Sequence, residues 1–124
     1  MFGRMTVTPV LEVKDRTIEN AVAELVKTAE NVTVARWIQF PASVLVFLIE
    51  PDDRDSGAVY VLNRKNGTWY SVDFEDTNFG GYSVADFEKL LEDYKFLRLV
   101  EQPGLLCSDL SWVVEPGKEP EAVA

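Results

Sequence analysis

Between Asp15 and Asn31 the apolar positions fall at Ile18, Ala21, Val22, Leu25, Val26 and Ala29. That spacing lines one side of a helix and predicts one over 17–30. Asp15 or Thr17 can cap its first turn, and Glu19 sits where the helix dipole favours an anion. A second helical stripe, Val84, Phe87, Leu90 and Leu91, follows Ser83 within 82–94. Ser83 fits the N-cap, Asp86 the third helical position of a capping box, and Tyr82 with Phe87 a hydrophobic staple.

Elsewhere the period is two. Residues 5–13 alternate, with Val7, Leu11 and Val13 expected on one face. Pro9 lacks an amide donor and predicts an edge position. Residues 32–40 are β-rich and alternate except at Arg36, and Pro41 ends them. The stretch 43–50, SVLVFLIE, is apolar on both sides, as a central strand would be. Two more strand-like runs flank Asn66-Gly67, the strongest short hairpin signal. A two-residue turn there pairs Lys65 with Thr68, Asn63 with Tyr70, Val61 with Val72 and Val59 with Phe74. Val59, Val61, Tyr70, Val72 and Phe74 then share one face, and Tyr60, Leu62 and Trp69 the other. A bulge at Gly67 instead shifts the register by one and exchanges these faces. A short strand at 96–102 is stopped by Pro103-Gly104, and 105–114 reads as either a last strand or a packed loop.

The element order is β-α-β-β-β-β-α-β. Successive strands with short connections favour an antiparallel β-meander of about five to six strands with both helices on one face. The expected fold is an α+β two-layer sandwich, a single domain over 1–114 followed by a disordered acidic C-terminal tail at 115–124.

The length of 124 residues and 47% hydrophobic content suit one self-sufficient core. The longest apolar run, 44–49, falls far short of the roughly 20 residues of a membrane helix. The one cysteine, Cys107, has no internal partner, and no signal-peptide pattern opens the chain. A cytoplasmic protein with a buried, inert Cys107 is therefore expected. The net charge of −9 disfavours nucleic acid and anionic membranes as partners and favours cations or a protein with a basic surface. With no histidine, the usual general base, the Ser-His and Cys-His nucleophile pairs and the common zinc ligands are missing.

The acids remain as candidate chemistry. In a meander, strands 43–50 and 68–74 run the same way on either side of a strand at 57–63. Their ends, Glu50-Asp52-Asp53-Asp55 and Asp73-Glu75-Asp76-Asn78, then meet at one end of the sheet as two acidic loops. Solvated turns alone account for many of these letters. A partner-binding face is the leading functional reading, with Glu50, Asp52, Asp53, Asp55, Glu75 and Asp76 as its charges and Trp69 as an exposed aromatic anchor. A calcium site built from Asp52, Asp53, Asp55, Asp73, Glu75 and Asp76 is the alternative. The EF-hand pattern does not fit it. Started at Asp73 it puts Asn78 at the required glycine, and started at Asp53 it puts Arg64 at the required glutamate. Gly80-Gly81 lacks the following G-K-[ST] of a phosphate loop. Paired-carboxylate hydrolysis needs a deep cleft that one small sheet rarely builds. The sequence therefore points to a small acidic non-enzymatic binding module, an inhibitor, immunity-type protein or assembly factor, without catalytic residues or cofactor.

Overall fold

The computed structural model describes residues 5–15, 17–29, 31–74, 82–93, 96 and 112–114. The strands are β1 (Met5–Glu12), β2 (Thr33–Gln39), β3 (Ser43–Glu50), β4 (Asp53–Asn63), β5 (Thr68–Phe74) and β6 (Trp112–Val114). The helices are α1 (Ile18–Thr28) and α2 (Val84–Leu90). The strands form one sheet in the order β2-β3-β4-β5-β1-β6, antiparallel throughout. The meander from β2 to β5 and the α+β class are as expected. The strand expected at 96–102 lies, apart from Phe96, outside the described residues, as do Cys107 and the tail at 115–124.

The layering is different from expectation. Every residue from Ser43 to Ile49 in β3 is buried. Leu45, Phe47 and Ile49 join Tyr82, Phe87 and Leu90 of the α2 region in one core. Val44, Val46 and Leu48 join Ala21 and Leu25 of α1 in another. Successive strand residues point to opposite faces, so the two helices cover opposite sides of the sheet. The arrangement is helix–sheet–helix, three layers rather than two. A strand with apolar residues at both parities requires it, because one helical layer leaves half of those side chains in water.

Trp69 and Tyr82 fasten the two layers. Fully buried Trp69 donates its indole N–H to the Ala21 carbonyl of α1 (3.1 Å). On the other side, Tyr82 and Gly57 exchange two backbone hydrogen bonds of 2.8 Å. The Tyr82 hydroxyl donates to the Val72 carbonyl (2.6 Å). The Phe47 and Phe87 rings stack 4.6 Å apart beside this bridge. The Ser83 capping box forms as expected: Asp86 N–H donates to Ser83 Oγ (3.1 Å), and Ser83 N–H donates to the Asp86 carboxylate (3.0 Å). At α1 the outer capping group is Asp15, which accepts from the Thr17 amide and hydroxyl and from the Asn20 side chain.

Two registers depart from the sequence reading. The β4–β5 hairpin pairs Asn63 with Thr68, Val61 with Tyr70 and Val59 with Val72. The loop is therefore Arg64–Gly67, closed by Gly67 N–H donating to the Asn63 carbonyl (2.9 Å) with Gly67 at φ 76°. The Asn63 and Asn66 side chains accept from the Lys65 and Thr68 amides and stabilise the longer loop. The slip is an even one, and the period of two preserves the faces. Val59, Val61, Tyr70 and Val72 face α2, while Leu62 and Trp69 face α1. In β1 an irregularity between Pro9 and Leu11 changes faces. Val7 consequently lies in the α2 core, and Leu11 and Val13 lie on the α1 side. Pro9 also stands one strand in from the edge. Among the described residues the outer neighbour β6 pairs with Met5, Thr6 and Val7, short of Pro9.

At Gly57 a Cβ would collide with the Phe47 ring and stand 2.8 Å from the Tyr82 carbonyl. Gly57→Ala is expected to destabilise the protein by about 1–3 kcal/mol, the usual cost of overpacking a core. Urea denaturation of the two proteins measures the difference, and an unchanged midpoint would refute the close packing of this bridge.

Candidate functional site

The ends of β3 and β5 lie at one end of the sheet, and the turn after β3 is built differently from expectation. Glu50 pairs with Asp53 across a turn of Pro51 and Asp52. Asp53 already belongs to β4, and a register irregularity then separates it from Gly57, which pairs with Ile49. Only Pro51 and Asp52 lie between the strands, so the acidic stretch at 50–55 is a tight turn and a strand start rather than a loop. Ser56 donates to the Asp53 carboxylate (3.1 Å), which fixes that irregular segment locally. Glu50, Asp52 and Asp53 are all exposed. Asp55 is placed on the β4 backbone, with its side chain outside the description.

Strands β3 and β5 run the same way on either side of β4, so their backbones lie roughly 10 Å apart, two strand spacings. Asp73, near the end of β5, therefore stands at the same end of the sheet as Glu50. Glu75 and Asp76 lie outside the described residues, as do Asn78 and Gly80-Gly81. Among the described residues no three Asp, Glu, Cys or His side chains converge closely enough to hold a metal ion.

Trp69 does not belong to this surface. It is fully buried between α1 and the sheet, and its register partners, Leu62 and Leu11, place it at the opposite end. The anchor expected there is corrected to a core residue whose ring and N–H both serve the α1 layer. The exposed tryptophan is Trp37, 48% exposed on edge strand β2. It stands beside Arg36, whose guanidinium lies 3.7 Å from the Glu88 carboxylate of α2.

Sequence reasoning missed one local relation at the acidic end. Tyr60 and Ser71 are register partners, and Asp73 follows two residues later on the same face. Tyr60 is half-buried against the α1 core. Burial raises the Tyr60 phenol above its usual value, and the Asp73 charge raises it further. Burial also raises the Asp73 carboxyl. Asp73 is thus the member of the acidic set whose charge the fold opposes. The register expected from the sequence sets Tyr60 directly opposite Asp73, and the observed two-residue slip makes them diagonal neighbours.

No helix among the described residues is long and apolar enough to cross a membrane. No protein-family model, curated protein or solved structure matches the chain.

Both raised groups favour folding in their protonated forms. The Asp73 contribution is fully present below its unfolded value, near 3.8, and is lost as pH rises through the higher folded value. Asp73→Asn is therefore expected to raise the melting temperature slightly at pH 7, with the gain vanishing near pH 3. In the same variant the Tyr60 phenol should titrate at a lower pH, followed through its assigned NMR signal. An Asn variant that loses stability at pH 7, or leaves Tyr60 unmoved, would contradict the pairing.

Proposed function

We propose that the chain is a binding module that acts by protein–protein contact in the cytoplasm, its partner carrying a basic surface. The observation that supports this most is the exposure of Glu50, Asp52, Asp53 and Asp73 at one end of the sheet, on a chain of net charge −9. Clustered like charge accelerates encounter with an opposite surface and rejects acidic partners. Three of the four sit on or beside a two-residue turn, so little ordering is needed when a partner arrives. An inhibitor, an immunity-type protein and an assembly factor all use such a surface. Enzymatic activity is not part of this proposal, since the chain has no histidine to serve as the usual general base.

The calcium alternative draws its support from the sequence alone, through Asp52, Asp53, Asp55, Asp73, Glu75 and Asp76. Calorimetry separates the two readings, since the binding module gives no saturable heat with millimolar Ca²⁺.

The full chain, tagged and exposed to an extract of its own source cells at low salt, is expected to retain a partner in stoichiometric amount. Raising the ionic strength should release it, because exposed charge pairs are screened beyond about 8 Å at physiological salt. Asp52→Asn combined with Asp53→Asn should weaken retention while leaving the fold intact. Failure to retain any partner, or retention indifferent to both salt and the double variant, would refute the reading.

A further inference from the structure

The second unusual surface is the outer edge of β2. Arg36 is the only charged residue between Glu30 and Glu50, in a chain where 27% of residues are charged. β2 is the terminal strand of the sheet, and its outer side has no strand partner among the described residues. Edge strands that must stay unpaired usually carry lysines, prolines or inward charges. Here the sequence is TVARWIQ, with Trp37 half-exposed and Arg36 alongside Glu88.

The ladder identifies which backbone groups are available. Phe40 N–H donates to the Ser43 carbonyl (2.8 Å), so Phe40 directs its groups toward β3. Ile38 pairs with Leu45 and Trp37 with Val46. In an antiparallel ladder the hydrogen-bonded positions alternate. Ile38 and Arg36 therefore also face β3, and Trp37 and Gln39 direct their N–H and C=O groups outward. The register irregularity lies between Val34 and Arg36 and leaves residues 36–39 regular.

We propose that this edge pairs with a second copy of the chain, β2 against β2, about a two-fold axis at Ile38. In that register Trp37 of each copy faces Gln39 of the other, and the four outward N–H and C=O groups of the two residues find partners in the opposite strand. The strand is thus its own complement, as a closed two-fold interface requires. Charge distinguishes a second copy from the basic partner of the acidic end. The strand itself carries no acid for a basic partner, and the acid beside it, Glu88, stands against Arg36. A second copy carrying −9 is repelled from most of the surface but meets no acid of the strand here. The start of β2 lies beside the acidic turn, since Thr33 pairs with Ile49. Antiparallel pairing therefore sends the two acidic ends in opposite directions, about 20 Å or more apart along the strands and beyond the screening length. The acidic turns at Glu50–Asp53 stay exposed in the pair.

Sedimentation velocity of the full chain over a range of concentrations tests this. The wild type should show a monomer–dimer equilibrium. Gln39→Pro removes an outward N–H without removing a bond to β3, and proline is tolerated at such edge positions. It should raise the dimer dissociation constant at least about tenfold with an unchanged circular dichroism spectrum. Trp37→Lys, which places a charge on each side of the axis, should do the same and is the second test if Gln39→Pro does not fold. Asp52→Asn with Asp53→Asn should leave the dimer intact, which separates this site from the acidic end. A wild type that stays monomeric at millimolar chain concentration overturns the proposal. So does a dimer indifferent to both β2 variants.

Discussion

The rest of the molecule depends on the burial of β3 from both sides. No side chain from Ser43 to Ile49 reaches solvent appreciably, and the apolar residues at both parities need a cover. A single helical layer cannot provide it. The chain therefore sends α1 across one face between β1 and β2 and returns with α2 on the other after β5. Trp69 and Tyr82 complete the arrangement by ending buried polar groups on Ala21 and Val72. Both faces of β3 are thereby occupied. Recognition is left to the ends and edges of the sheet, where the acidic turn and the outer side of β2 lie.

Those two surfaces differ in kind. The acidic end acts at a distance, is sensitive to salt, and selects by sign. The β2 edge acts only on contact, through backbone groups in strand geometry, and its single charge, Arg36, stands against Glu88. Their separation has a physical advantage, since a partner drawn to one does not compete for the other. Asp73 belongs to neither completely. It stands near the acidic end but is partly desolvated beside Tyr60, so its carboxylate is less comfortable than those of the turn.

Much of the local structure was legible in the sequence because it depends on neighbours in the chain. The stripe of α1, the Ser83 capping box with its Tyr82–Phe87 staple, and the two faces of the β4–β5 hairpin are of this kind. The hairpin's register was not legible. Asn66-Gly67 signals a two-residue turn, but Asn63 and Asn66 cap their own backbone amides, and Gly67 closes a longer loop on Asn63. The faces survived because the slip is even. In β1, an irregularity beside Pro9 reverses the alternation; proline fits a bulge as well as an edge, and the edge reading missed it. The layering was missed for another reason: period reveals which residues are buried, not which helix covers them. The same limit explains why Trp69 was expected outside and Trp37 was not. Both sit on alternating strands, and only strand order shows that one is central and the other at the edge. Of the acidic site, the meeting of the β3 and β5 ends was legible from strand direction alone, whereas the diagonal placing of Tyr60 and Asp73 and their burial were not.

Thiol labelling tests the enclosure of β3 one face at a time. Leu45 and Val46 are neighbours in the strand but belong to the α2 and α1 cores respectively. Single cysteines at these positions, Leu45→Cys and Val46→Cys in a Cys107→Ser background, report each face separately. Both thiols should react only at the rate of global unfolding. Rapid labelling of either one in the native protein would show that its face is open and contradict the three-layer account.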